Sequence, residues 1–354
     1  MQNKLFSPFN LREVTFRNRI FVSPMCTYSA VNGLANDWHM VHLGSRAVGG
    51  AGLVIVEATA VSPEGRISPH DLGLWNDQQL TAFEKITAFI TSEGAVPGIQ
   101  LAHAGRKSFA FPPHPEGHPL KQGDEGWGVV APSAIAFSAE YALPHELSVP
   151  EMDTLVRKFS ESATRALKAG FKVVEIHAAH GYLLHEFLSP ITNIRTDEYG
   201  GSLEARMKFP LRVAKAVRDV FPAKLPVFVR ISATDWVEGG WDLPQSILFC
   251  NELRKLGIDL IDCSSGGQVH NAKIPVGIGY QLPFSIAIRK ASAIPTGVVG
   301  LISSPYQAEQ ILVNGDADAV ILGREMLRDP YWPLHAAKEL GVDVEWPVQY
   351  LRAK

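Results

Sequence analysis

Lys172-Val173-Val174-Glu175-Ile176-His177-Ala178-Ala179-His180-Gly181-Tyr182 reads as a buried strand that runs out into a polar loop. The β-branched run Val173 to Ile176 is short and bounded, as a fully buried strand is. Its exit packs three hydrogen-bond donors, His177, His180 and Tyr182, into six residues. In α/β proteins the carboxyl end of a parallel strand is where chemistry is usually placed. Two histidines three apart also serve as core or capping residues, so the other strand ends have to decide.

Working outward, apolar strands alternate with helices along the whole chain. Strands are predicted at Arg19–Val22, Leu53–Val56, Val96–Leu101, Val173–Ile176, Pro226–Ile231, Leu260–Cys263, Thr296–Val299 and Ala319–Leu322. Between them, helices are predicted from Asp37, acting as cap, to Val48, and over Thr81–Glu93. Others run from Ser148 to Lys168, Ser202 to Val220, Gln245 to Leu256 and Phe284 to Ala291. Ser148-Val149-Pro150-Glu151 and Ser304-Pro305-Tyr306-Gln307 have the spacing of capping boxes. Pro210 predicts a kink or break in its helix. Asp329-Pro330 opens a last long helix that Gly341 ends. Eight strands in such an alternation predict a single (β/α)8 TIM barrel spanning residues 1–354. A doubly wound sheet would carry Gly-x-Gly-x-x-Gly straight after a strand, and Gly49-Gly50-Ala51-Gly52 stands before one. A Pro/Gly/His-rich excursion, 109–128, and a tail, 342–354, decorate the barrel.

Composition narrows the class. The chain has 354 residues and a formal charge of −3, with no basic block to suggest nucleic acid. It has no signal-like start and no apolar run long enough for a bilayer. Cys26, Cys250 and Cys263 are too scattered for a disulfide framework, which fits a reduced cytoplasmic enzyme.

A barrel turns strand ends into a site. Here they offer Ser23-Pro24-Met25-Cys26, Glu57-Ala58, Gln100, His177 with His180, Arg230, Ser264 to Gly267, Gly300 and Gly323-Arg324. Amides, histidines, arginines and glycines outnumber carboxylates, so an anionic planar cofactor suits the set better than a divalent metal. Gly300 and Gly323-Arg324 stand where barrels commonly bind phosphate, with Arg324 able to pair bidentately. Arg230 ends an apolar strand and needs an anion, either a ligand or an internal salt bridge.

Ser23 to Tyr28, Gln100 to Lys107, His177 to Leu183 and Arg195 to Ser202 together resemble the Old Yellow Enzyme family of FMN-dependent ene-reductases. Cys26, Tyr28 and Gln349-Tyr350-Leu351-Arg352 resemble its thermophilic-like bacterial subgroup. The resemblance implies FMN over the barrel mouth, touched by Ser23, Pro24, Met25, Cys26 and Ala58. Gln100 would bond the ring's polar edge, and Arg230 would face the edge that becomes negative on reduction. His177 and His180 would hold the carbonyl oxygen of an enone, Tyr182 would protonate its α-carbon, and Tyr28 would close over it. Cys26 would tune the flavin. Arg352 would enter the substrate pocket of a neighbouring subunit in a homodimer or dimer of dimers. NADPH or NADH would be a transient hydride donor in ping-pong turnover. Two other readings are a flavin-binding redox sensor switched by Cys26 and a metal-dependent hydrolase with His177 and His180 as ligands. His39 and His42 are assigned no role.

Overall fold

The computed structural model describes residues 3–110 and 127–354. Most of the excursion at 109–128 therefore lies outside the described residues. Its two ends meet, with the Phe109 and Trp127 rings 5.1 Å apart.

The barrel strands are β1 (Ile20–Val22), β2 (Leu53–Ala60), β3 (Val96–Ala102), β4 (Val173–Ala178), β5 (Val227–Ser232), β6 (Leu260–Ser264), β7 (Thr296–Val298) and β8 (Ala319–Leu322). They are parallel and follow one another in sequence order around a closed barrel, with Val320 of β8 paired to Ile20 of β1. Every strand is buried on both faces except at Val96, which is why they read as apolar runs rather than alternations. β2 changes register between Val56 and Thr59, so Glu57 and Ala58 sit on an irregularity that re-aims their side chains.

A hairpin that the sequence pattern does not reveal, Phe9–Leu11 with Val14–Phe16, precedes β1. Its strands have only three residues each, too short for a periodic signal. Phe16 lies 4.9 Å from Phe21 and 6.5 Å from Phe228. These rings sit at the starts of β1 and β5, so the hairpin closes the end of the barrel opposite the strand exits.

The predicted helices form, with corrections. Asn36, not Asp37, caps the first (Asp37–Val48). Its side chain and His39 Nδ1 make a reciprocal capping box, with His39 accepting from Asn36 N–H at 3.1 Å. His39 thus has a local structural role, and His42 stacks on Trp38 at 6.4 Å. The Ser148–Glu151 box forms, whereas Ser304 stands at its cap position without a cap hydrogen bond. Pro210 does not break its helix, which runs from Leu203 to Val220. The last helix forms but is shorter than expected, Trp332–Glu339, and a separate short helix, Arg324–Arg328, which the sequence reading did not place, precedes it. Asp329 turns the chain between them by accepting from Tyr331 N–H at 2.9 Å.

Phe16→Ala should leave a cavity beneath the barrel and cost about 3–5 kcal/mol. A lowered urea midpoint with an unaltered m-value and normal cofactor content would show this. An unchanged midpoint would mean that the hairpin is decoration.

Candidate functional site

The order of strands around the barrel brings residues distant in sequence to one mouth. A cavity of about 470 Å³ opens there, lined among others by Met25, His180, Arg230, Gly300, Gly323 and Arg324. Tyr280 and Gln281, which no strand end advertises, also line it.

Gly300 has a φ of +139°, which a residue with a side chain rarely adopts. At Gly323 an added Cβ would meet nothing nearer than Met25 Sδ at 3.7 Å, and so would project into the free space. Arg324 is exposed and has no carboxylate partner among the described residues. Two side-chain-free walls and an unpaired guanidinium fit a phosphate group.

Arg230 is nearly buried between the strands. Its Nη2 donates to Ser23 Oγ at 2.9 Å, and its Nε lies 3.0 Å from Asp262 Oδ2. Of the two anions open to it, the structure supplies the internal one, and the outer edge of the guanidinium lines the cavity. Gln100 donates from Nε2 to Glu175 Oε1 at 2.7 Å. Neither Glu175 nor Asp262 was singled out from the sequence. A signal was there, because Glu175 stands two residues before His177 and therefore points to the same barrel face. Pro24 and Ala58 are buried at the same rim, and Met25 is half-buried.

His177 and His180 approach edge to face with ring centres 5.2 Å apart, and Tyr182 stands 5.0 Å from His177. His177 Nδ1 accepts the Ala179 N–H at 3.2 Å, which puts the ring proton on Nε2. His180 Nε2 is 2.7 Å from Ser264 Oγ. The Ser264 hydroxyl has one hydrogen and two acceptors in reach, His180 at 2.7 Å and Gln281 Oε1 at 3.3 Å. Gln281 Oε1 already receives Ser265 Oγ at 2.7 Å. Gln281 Oε1 can accept from both serines, so His180 Nε2 either accepts from Ser264 or donates to it, and the ring tautomer follows that choice. Burial first, and the Arg230 charge second, push both histidines well below their ordinary pKa, so both are neutral single donors.

His180 has a φ of +59°, a left-handed conformation that costs a non-glycine residue of order 1 kcal/mol. The loop holds it there through several contacts. His180 N–H donates to Ser232 Oγ at 2.9 Å, and Lys107 Nζ donates to the His180 carbonyl at 2.8 Å. His185 Nδ1 accepts the Gly181 N–H at 2.9 Å, and its Nε2 lies 3.0 Å from the buried Asp235. A Cβ on Gly181 would lie 2.2 Å from the Gly267 carbonyl, so only glycine fits there.

Burial pushes the Tyr182 phenol well up, with further increments from Cys26 and Tyr28, so it stays protonated. Tyr28, with a φ of +51°, is likewise pushed up by burial. Glu57, the one carboxylate among the strand ends, does not face a ligand. It accepts the Thr27 N–H at 3.0 Å and the Thr27 hydroxyl at 2.8 Å, anchoring the loop that carries Cys26 and Tyr28. Burial raises it to about 7. The Cys26 thiol is pushed well up, by burial and then by the Asp71 and Glu57 carboxylates. A thiol so held is the opposite of a reactive thiolate, which removes support from Cys26 as a redox switch. The metal reading also loses its basis. Among the described residues no group of three or more His, Cys, Asp and Glu could hold an ion.

Arg352 is not brought to this mouth. It lies on the turn Val348–Ala353, none of whose residues is buried. The tail is held by Tyr350, whose hydroxyl is 3.3 Å from that of Tyr331, and by Lys354 on Asp343. No helix among the described residues is long and apolar enough to cross a membrane.

A closed parallel barrel with side-chain-free walls, a fixed buried arginine and two neutral imidazoles at its mouth suits a flavin-dependent barrel oxidoreductase. Residues 4–343 match the NADH:flavin oxidoreductase / NADH oxidase family, and the chain belongs to that family. It is 48% identical to an NADPH dehydrogenase of Geobacillus thermodenitrificans and 47% identical to one of Bacillus subtilis, over 99% of both chains in each case. Among solved structures, morphinone reductase superposes with a TM-score of 0.81 at 28% identity, covering 98% of this chain and 92% of that one. The old yellow enzyme homologue from Zymomonas mobilis gives 0.79 at 28% identity, covering 97% and 94%.

Because its thiol is held so far up, Cys26 should be alkylated by iodoacetamide at neutral pH far more slowly than a free thiol, by at least about tenfold. Peptide mapping of the modified protein reads this directly. Rapid stoichiometric labelling at Cys26 would restore it as a switch.

Proposed function

We propose that the chain is an NAD(P)H-dependent, FMN-containing ene-reductase that reduces the activated C=C bond of α,β-unsaturated carbonyl compounds. The observation that carries this reading is the state of three side chains on one loop. His177 and His180 are neutral imidazoles with one ring N–H each, that of His177 on Nε2, and Tyr182 beside them keeps its phenolic proton.

FMN, when bound, takes hydride from NAD(P)H and returns it to the β-carbon of the alkene. Ser23, Pro24, Met25, Cys26, Ala58 and Gln100 would hold its ring system. Gly300, Gly323 and Arg324 would hold its phosphate, and Arg230 would meet the edge that gains negative charge. His177 and His180 bind the substrate carbonyl oxygen, draw electron density from the double bond and stabilise the enolate that forms. Tyr182 delivers a proton to the α-carbon of that enolate. Its raised pKa keeps it an acid at neutral pH and makes proton loss favourable only to a strongly basic carbon. Tyr28 covers the substrate from the other side. Among the described residues no dinucleotide-binding turn is present to retain the nicotinamide, so donor and alkene use the same mouth in turn. Three free cysteines suit a reducing cytoplasm.

The names of the sequence relatives support the donor, and the morphinone reductase likeness supports an enone acceptor. Tyr182→Phe tests the assignment. Reduction of the bound flavin by NADPH should remain near normal, while reoxidation by an enone should slow by about 10²-fold or more. Reoxidation by a quinone, which needs no proton on carbon, should be unaffected. Equal slowing with every acceptor would make Tyr182 structural.

The tail enters this reading through assembly. Val348 and Leu351 are more than half exposed, and Tyr350 is 41% exposed, on an ordered turn that the other described residues leave uncovered. In a symmetric dimer, Arg352 would reach the neighbour's substrate pocket. Arg352→Ala should raise the apparent KM for an enone while FMN stays bound. Mixing it with His177→Ala, after subunit exchange, should regenerate intact sites in the hybrids. No recovery, or a fully active monomer, would refute the shared site.

A further inference from the structure

Arg230 is the cation nearest the proposed cofactor edge, and two buried carboxylates flank it. Glu175 on β4 and Asp262 on β6 are both without solvent exposure. Strand register sets Asp262 level with Arg230, and Glu175 level with Phe228, one pleat deeper on the other side. Asp262 Oδ2 lies 3.0 Å from Arg230 Nε, and Gln100 serves Glu175 Oε1 at 2.7 Å. Glu175 Oε2, both Asp262 oxygens and Arg230 Nε have no hydrogen-bond partner among the described residues, so Arg230 and Asp262 meet as an ion pair by distance alone.

Two carboxylates and one guanidinium enclosed in this way would leave a net negative charge in the barrel. An uncompensated buried carboxylate costs at least several kcal/mol, so one of the two retains its proton. The geometry selects Glu175. The cation lies 3.0 Å from Asp262 and forms no ion pair with Glu175, so the ionised carboxylate is favoured at Asp262 and the proton at Glu175. Burial and then the Asp262 charge both push Glu175 up, and Arg230 opposes them.

We propose that Glu175 and Asp262 hold one proton between them and act as a buried counter-charge. The pair would set how strongly Arg230 stabilises the negative charge that reduction places on the cofactor edge. This rests on the FMN reading above. Of the other titratable groups near the cluster, the histidines and the thiols keep their charge around neutrality. His177 on β4 and His180 after it are neutral, and the Cys26 thiol after β1 and the Cys263 thiol on β6 are pushed well up. Glu57 on β2, which burial raises to about 7, and Lys107, which burial lowers to about 8, do titrate in this range, but neither bonds Arg230 and Glu175→Gln leaves both in place, so the steepening that this variant removes belongs to Glu175. β7 and β8 contribute no ionisable side chain. With Glu175 protonated, the cluster is neutral. Once Glu175 ionises at higher pH, the negative charge added by reduction draws a proton back onto it. Two electrons are then accompanied by one proton more than the cofactor itself takes.

The test is the two-electron midpoint potential of the FMN-loaded protein, followed from about pH 6 to 10. On the alkaline side its slope should steepen by about 30 mV per pH unit, the value for one extra proton per two electrons. Glu175→Gln should abolish the steepening and leave the potential near neutral pH unaltered, because a side-chain amide and a protonated carboxyl carry the same charge. Asp262→Asn should move the steepening to lower pH, since the charge that keeps Glu175 protonated is gone. Wild-type protein at neutral pH should also show the infrared carbonyl band of a buried carboxylic acid, and Glu175→Gln should remove part of its intensity, the remainder coming from Glu57 and Glu186, which burial also raises. A straight alkaline limb, a steepening that survives Glu175→Gln, or absence of the band would overturn the proposal. A bound flavin with a straight limb defeats only the shared proton, whereas failure to bind FMN defeats the functional reading as well.

Discussion

Val320 pairs with Ile20, and through that junction the last barrel strand meets the first. Closure satisfies the backbone groups of all eight strands without leaving an edge. It also turns every strand exit toward one small volume, and the chemistry depends on this. His180, Arg230, Gly300 and Arg324 are far apart in the chain, yet they line the same cavity. The hairpin at Phe9–Phe16 seals the opposite end with aromatic rings, so stability and function occupy different ends of one core.

Within the mouth the organising fact is one buried guanidinium. Arg230 lowers the pKa of both histidines, bonds Ser23 and is met by Asp262, so its charge touches every part of the site. A site that handles developing negative charge benefits from such a fixed cation in a low-dielectric setting. The same setting makes unbalanced charge expensive, and Asp262 offsets the Arg230 charge.

The donor loop shows how backbone strain is retained where chemistry needs it. His180 is left-handed and is held by Ser232, Lys107 and the turn at Gly181, which His185 and Asp235 brace from behind. Lys107 is half-buried, and desolvation lowers it to about 8. It spends its hydrogen bonds on two carbonyls of neighbouring loops rather than on a carboxylate. These residues touch no substrate in the proposed reaction, but they set the angles of those that do.

Much of this was legible in the chain alone. Strand identity follows from short β-branched runs and helix identity from caps and periodicity, and both are local properties. The alternation therefore implied a barrel, and the strand ends named the residues at its mouth. What local pattern could not supply was which polar group meets which. Asn36 displaced Asp37 as cap because a cap is decided by side-chain reach, and the last helix starts only at Trp332 because Asp329 turns the chain ahead of it. Glu57 proved to anchor Thr27, and Arg230 found its anion in Asp262, on the next strand around the barrel. Those pairings depend on inter-strand register and on how far each group is removed from water. Only the closed tertiary structure sets these two quantities, because a side chain's partner and its dielectric surroundings both come from other parts of the chain.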